Sequence, residues 1–160
     1  MHTMRRTGLI LAGLLLLAAS ASAQAKPNFS GDWKLNAAKS NFGQIPAPSS
    51  LTQKITHADP SLKVQTAQSG DFGDFNSDFS FTTDGKECQN AMGDLFKMTS
   101  TVKWDGDILM FDSKMDFQGN PMTSNDKWTL SPDGRRLIIA RHFNGPMGEG
   151  DAMFVMDKTR

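Results

Sequence analysis

From residue 51 onward, the chain alternates apolar and polar residues over segments of about four to nine residues. A period of two places successive side chains on opposite faces of an extended strand, so each segment is typical of a strand with one buried face. Short Gly- and Pro-containing sequences, such as Asp84-Gly85, Asp105-Gly106 and Pro132-Asp133-Gly134, separate the segments and predict tight turns. Asp-Gly between two alternating segments predicts that the flanking strands form a hairpin. The segments recur about every 10 to 13 residues, which leaves no room for crossover helices and predicts sequential antiparallel strands.

An open sheet of so many strands would expose two long edges, and closure into a barrel removes both. We therefore predict an all-β fold, an antiparallel up-and-down meander closed into a β-barrel of about 8–10 strands. A two-sheet β-sandwich is the alternative, because alternation alone does not distinguish the two architectures. Residues 36–50 lack the alternation and predict a short helical turn around 37–42 followed by an extended loop.

The first 23 residues have the composition of a signal peptide. Arg5 and Arg6 precede an apolar run from Gly8 to Ala19, and small residues then lead to a cleavage site after Ala23, with Ala25 as the second choice. The apolar run is too short for a membrane span of about 20 residues. We predict an exported protein, periplasmic or secreted, in which residues 24–160 form a single domain without stable membrane insertion.

Charge and cysteine content limit the classes of partner. Removal of two arginines with the signal peptide leaves a net charge of about −2 and no cluster of basic residues. We therefore expect no nucleic-acid partner and no electrostatic binding to an anionic membrane. Cys88 is the only cysteine, so no internal disulfide forms, and we expect Cys88 to behave as a small buried apolar residue.

The segment Phe29-Ser30-Gly31-Asp32-Trp33-Lys34-Leu35 resembles the first strand of the lipocalin and fatty-acid-binding-protein (calycin) superfamily, which begins F-x-G-x-W. The resemblance implies that Gly31 permits a tight bend and that Trp33 closes one end of the barrel beneath a cation from a late strand, here Lys158. Lys-Trp-Asp-Gly at 103–106 is similar to a late hairpin of the fatty-acid-binding branch. The chain also resembles small exported bacterial lipocalin-like proteins of unassigned function.

The C-terminal segment departs from the fatty-acid-binding proteins. Their last strand carries Arg-x-Tyr, which holds the ligand carboxylate, whereas this chain reads Phe-Val-Met-Asp-Lys at 154–158 and contains no tyrosine. The carboxylate site of that family is therefore not carried over.

Seven residues are candidates for ligand binding inside the barrel. Arg141 shares the phase of Leu137 and Ile139, and His57 shares that of Leu51 and Ile55, so both are polar candidates within an apolar interior, where an anionic head group would satisfy them. The apolar residues on both faces of this segment leave open whether His142 points inward instead of Arg141. The seven candidates are Arg141, His57, Phe79, Met98, Phe111, Met115 and Trp128.

The sequence predicts no catalytic residue, metal site or cofactor. The mature chain is rich in methionine, but no Met/His cluster is present, so we interpret the methionines as core or cavity lining rather than as a copper site. Asp74, Asn76 and Asp78 alternate, yet the glycine and glutamate of a calcium loop are missing. No Gly-x-Ser-x-Gly motif is present.

We therefore predict an exported protein that binds a small apolar or amphipathic molecule inside its barrel. The alternatives are an envelope structural or interaction protein with a filled barrel and, less favoured, an enzyme on the same barrel. The sequence does not indicate an oligomeric state.

Overall fold

The computed structural model describes residues 25–71 and 73–160, so the predicted signal peptide, 1–23, lies outside the described residues. Ten strands and one 3-10 helix, η1 (Ala37–Lys39), make up the fold. The strands are β1 (Gly31–Leu35), β2 (Ser50–Ala58), β3 (Ser61–Gly70), β4 (Gly73–Thr82), β5 (Asp84–Met92), β6 (Phe96–Asp105), β7 (Ile108–Phe117), β8 (Asn120–Leu130), β9 (Arg136–Gly145) and β10 (Gly148–Lys158).

All ten strands belong to one antiparallel sheet, in the order β4-β3-β2-β1-β10-β9-β8-β7-β6-β5. The first and last strands pair, with Trp33 opposite Lys158 and Leu35 opposite Met156. The predicted meander of 8–10 strands in a nearly closed barrel is thus confirmed, and the sandwich alternative is excluded because a single sheet contains every strand. The helical turn expected around 37–42 is shorter, since η1 covers three residues.

The sheet does not close between β4 and β5, a gap that we call the seam. The prediction that strands on either side of Asp84-Gly85 form a hairpin is therefore wrong. The register of β5 shifts between Asp84 and Glu87. Such an irregularity bends a strand and ends regular pairing.

Side chains of β5 replace part of the missing ladder at the seam. The Asn90 amide accepts a hydrogen bond from the Ser80 N–H (2.9 Å) and donates one to the Ser80 carbonyl (3.0 Å). Cys88 Sγ accepts from the Thr82 N–H at 3.2 Å. Cys88 packs against the core, as expected of a small apolar residue, but it is only partly buried because it lies at the open edge of the sheet.

Alternation assigns each strand an inner and an outer face. The inward positions carry the core. Its fully buried residues include members of every strand except β5, whose Cys88 and Met92 are partly buried against it. We call the end that contains Trp33, His57 and Trp104 the closed end, and the end formed by the turns at 93–95, 118–119 and 146–147 the mouth. Among the described residues, no helix is long and apolar enough to cross a membrane.

Candidate functional site

Trp33 fills the closed end of the barrel. Its side chain is 1% exposed, and its Nε1–H donates to the Phe29 carbonyl at 3.0 Å. Lys158 Nζ lies 5.3 Å from the ring centroid, within the distance at which a cation is attracted to an aromatic face. This pair follows directly from the register of β1 against β10, which places the two residues opposite each other.

Gly31 is required by the same packing. Its φ of +146° is rarely adopted by residues with a side chain, and an added Cβ would lie 2.4 Å from Lys158 Cε and 2.9 Å from the Arg160 carbonyl oxygen. The absence of a side chain therefore lets the C-terminal segment pass close to β1.

His57 is buried at the closed end, away from Arg141. Its Nδ1 accepts a hydrogen bond from the Phe29 N–H at 3.2 Å, and its Nε2 lies 3.5 Å from Asp59 Oδ1. The rings of Phe29 and Trp104 lie 5.7 and 5.9 Å from the His57 ring. His57 is thus a buried, internally bonded histidine that fastens the N-terminal segment to β2.

Asp59 accepts hydrogen bonds from several side chains at the rim of the closed end. Thr83 Oγ1 and Trp104 Nε1 both donate to its Oδ1, the latter at 2.9 Å. The hydrogen bond from Thr83, supported by those of Trp104 and His57, lowers the pKa of Asp59 below its ordinary value. Because these bonds tie β2, β4 and β6 together, their first role is structural.

Two of the predicted ligand-binding residues, Phe111 and Trp128, pack together inside the barrel with ring centroids 4.6 Å apart. Phe81 meets Phe111 edge-on at 5.4 Å, and Phe29 meets Trp128 edge-on at 5.9 Å. Trp128 is 4% exposed, yet its Nε1–H has no hydrogen-bond partner. A buried donor of this kind is costly unless another group accepts from it.

Nearer the mouth, the predicted residues Met98 and Met115 lie opposite each other on β6 and β7. Phe79 stacks on Phe96 with centroids 5.8 Å apart. Phe79 and Met115 are only partly buried against the core. Flexible thioethers beside aromatic rings form a surface that adapts to apolar groups of different shape.

Arg141 faces the interior in phase with Leu137 and Ile139, and the exposed His142 points outward, so the structure decides between the two orientations that the sequence left open. The Arg141 Nε donates to Asp126 Oδ1 at 2.8 Å, and its Nη2 donates to Asp126 Oδ2. Burial by itself lowers the pKa of Arg141, but the adjacent Asp126 charge and its hydrogen bonds more than offset this and raise that pKa. An anionic head group is therefore not needed to satisfy Arg141, because Asp126 already does so.

A row of inward serines leads to this ion pair across three strands. Ser100 Oγ and Ser113 Oγ lie 2.7 Å apart, Ser113 is opposite Ser124, and Ser124 Oγ donates to Asp126 Oδ1 at 3.0 Å. All four residues are buried. We call Ser100, Ser113, Ser124, Asp126 and Arg141 the polar row; it lines one wall of the interior with hydroxyl, carboxylate and guanidinium groups.

The structure does not bring the seven predicted ligand-binding residues together in one site. Arg141 is paired with Asp126, and Phe79 stacks on Phe96. Trp128 and Phe111 form one contact, Met98 and Met115 another, and His57 belongs to the closed end. Sequence reasoning missed Asp126, although Asp126 shares the phase of Trp128 and Leu130 and could have been recognised as an inward carboxylate on that ground. Ser100 and Ser113 likewise share the phase of the inward apolar residues on β6 and β7, but phase alone did not reveal that they lie beside an ion pair.

Two open depressions lie on the outer surface. One, of about 330 Å³, is lined by Ser131, Asp133, Arg135, Arg136, Asp157 and Lys158. The other, of about 470 Å³, crosses the outside of β8, β9 and β10 near His142 and Asp151. Neither lies within the barrel. Among the described residues, no three His, Cys, Asp or Glu side chains are grouped as a metal site would require.

The fold is a ten-stranded, nearly closed antiparallel barrel with Trp33 buried at one end, which is the type of fold that the sequence resemblance implied. No protein-family model matches the sequence, and no curated protein matches it.

Solved structures provide the comparison. The chain is similar to a secretory abundant heat soluble protein from Ramazzottius varieornatus, with a TM-score of 0.57 and 13% identity over 84% of this chain and 97% of that one. It is also similar to zebrafish ileal bile acid-binding protein, solved in complex with cholic acid, with a TM-score of 0.52 and 16% identity over 82% of this chain and 98% of that one. At these identities the similarity establishes the fold alone.

Proposed function

We propose that this protein is exported and that its barrel binds a small amphipathic molecule between the closed end and the mouth. The export part of the proposal depends on Arg5, Arg6, the apolar run and the small residues that end at Ala23. The binding part depends on the chemistry of the interior.

The observation that carries the binding proposal is the combination of the polar row with the unpartnered indole N–H of Trp128. Ligand sites combine an apolar lining with a few convergent polar groups that orient the ligand. Here Met98, Met115 and Phe79 supply apolar surface, while Trp128 supplies a buried donor with no protein acceptor.

A second buried polar atom without a hydrogen-bond partner, Gln53 Oε1, also supports binding of a ligand in the interior. Gln53 donates to Thr66 Oγ1 at 3.3 Å, but its Oε1 is buried without a hydrogen-bond partner. A filled structural core rarely retains such atoms, because each costs about 1–3 kcal/mol. A bound molecule with a polar group would offset part of that cost.

A barrel that is filled by side chains and acts through its outer surface is the second candidate function. It is favoured by the position of the two depressions, both of which lie outside the barrel. Under this candidate, the interior would bind nothing.

Native mass spectrometry of the protein purified from its own source would test the proposal. We expect an adduct with the mass of a small molecule that is released on denaturation. A matched pair of variants locates the site: Met115→Trp fills the interior and should abolish the adduct, whereas Lys114→Trp places the same bulk on the outer face of β7 and should leave it unchanged. An adduct retained equally by both variants would contradict interior binding.

A further inference from the structure

We infer that the interior site selects an uncharged amphipath, with a hydroxyl or carbonyl oxygen at its polar end, over a fatty carboxylate. The inference rests on the proposed function, because it concerns the same interior. It is the opposite of the selectivity that a lone inward arginine would produce.

The charge of the interior is the first argument. Among the inward strand positions that the structure describes, the charged residues are Asp126, Arg141 and Lys158, and Lys158 belongs to the closed end over Trp33. Asp126 and Arg141 form a two-hydrogen-bond pair, which leaves the middle and the mouth half without net positive charge. A carboxylate entering there would lose its hydration without gaining a free counter-ion.

The depth of the two charges strengthens this argument. The Asp126 side chain is 7% exposed and the Arg141 side chain is 35% exposed, so the anion is the more buried member of the pair. The guanidinium is further covered on one side by the Phe154 ring, 5.3 Å away. A ligand carboxylate that reached the polar row would lie beside a buried negative charge, which low polarity makes strongly repulsive.

Hydrogen-bonding capacity is the second, independent argument. The Trp128 Nε1–H needs an acceptor, and the Gln53 Oε1 needs a donor. Trp128 follows Asp126 by two positions on the same inward face of β8. A carbonyl oxygen can accept from an indole N–H, and a hydroxyl can both accept and donate. An uncharged oxygen thus provides what the interior lacks without adding charge.

Competition between two ligands of equal chain length tests this selectivity. The neutral fluorophore N-phenyl-1-naphthylamine is bound to the full mature chain and then displaced by dodecan-1-ol or by dodecanoate at pH 8, with direct excitation of the probe. We expect dodecan-1-ol to displace the probe at a concentration at least tenfold lower than dodecanoate. Equal potency, or stronger displacement by dodecanoate, would overturn the inference while leaving interior binding intact. If the probe does not bind, or neither compound displaces it, the proposed function itself fails.

A matched pair of aspartate variants tests the role of Asp126. Asp126→Asn removes the buried negative charge and leaves Arg141 free to meet a carboxylate, so the preference for dodecan-1-ol should fall at least tenfold. Asp112→Asn removes the same charge from an exposed, outward position on β7 and should leave the preference unchanged. An unchanged preference in Asp126→Asn would overturn the charge argument. If Asp126→Asn does not fold, the displacement of the probe from the wild-type protein by dodecan-1-ol and by dodecanoate still tests the selectivity.

A pair of tryptophan variants tests the donor. Trp128→Phe keeps an aromatic ring but removes the N–H, and we expect it to weaken dodecan-1-ol at least threefold while dodecanoate changes less. Trp104→Phe is the control, because the Trp104 N–H of the wild type already donates to Asp59. Equal weakening of both ligands in Trp128→Phe would assign Trp128 to packing alone and overturn this part of the inference.

Discussion

Replacement of Trp33 by alanine should remove the largest single contribution to the closed end. A buried tryptophan covers about 150–250 Å², and at about 25 cal/mol per Å² this area corresponds to about 4–6 kcal/mol. Alanine retains a small part of that burial, so we expect Trp33→Ala to lower the free energy of unfolding by about 3–5 kcal/mol. Because domains of this kind are stable by about 5–15 kcal/mol in total, the variant should be close to unfolding.

Two further variants divide this effect into its causes. Trp33→Phe keeps most of the apolar surface but leaves the Phe29 carbonyl without its donor, at a cost of about 1–3 kcal/mol. Lys158→Met keeps the aliphatic stem and removes the cation 5.3 Å from the ring, which should cost about 0.5–1 kcal/mol.

Urea unfolding followed by far-ultraviolet circular dichroism measures these losses without relying on tryptophan fluorescence. Trp104→Ala is the control: Trp104 is only partly buried, so its loss should be clearly smaller than that of Trp33. A change below about 1 kcal/mol for Trp33→Ala, with the denaturant dependence unchanged, would refute the view that Trp33 is the main closure of the barrel.

Two further predictions concern the seam and the outer face. Asn90→Ala removes both hydrogen bonds to Ser80, so we expect a loss of about 1–2 kcal/mol and faster exchange of the Ser80 amide proton in hydrogen-exchange NMR; unchanged exchange would contradict the bridging role. Hydrogen bonding to Asp151 raises the pKa of His142 above its ordinary value of 6.5. A raised folded-state pKa means that protonated His142 stabilises the fold below pH 6.5 and that this contribution is lost as pH rises through the folded-state pKa. The melting temperature of His142→Ala should therefore fall below that of the wild type at pH 5.5 and match it at pH 9; the same difference at both pH values would contradict this assignment.

Much of the interior could be predicted from the chain alone. Alternation assigned Phe79, Met98, Phe111 and Met115 to the inward face, because side-chain direction in a strand depends only on position parity. Parity did not decide between Arg141 and His142, because apolar residues occupy both faces of that segment, and only the structure places Arg141 inward. Its partner could not be assigned, because the pairing of β8 with β9 depends on register, and register is set by turn geometry and by the packing of the whole sheet.

The seam between β4 and β5 is a second feature that the sequence could not predict. Asp84-Gly85 has the composition of a hairpin turn, but the strands beside it separate. Local turn chemistry favours a hairpin, whereas the closure of a ten-stranded sheet through β1 and β10 determines where the ladder is interrupted. No local pattern contains that information.

The sequence by itself therefore determined the strands, their antiparallel succession, the inward residues and the glycine and tryptophan of the first strand, because each follows from local periodicity or from a short motif. The tertiary structure alone decided that Asp126 neutralises Arg141, that His57 is enclosed by Phe29 and Trp104, and that the sheet opens at β4 and β5. Those features join residues distant in the chain, and the physical reason is that pairing free energies depend on the register and packing of all ten strands together.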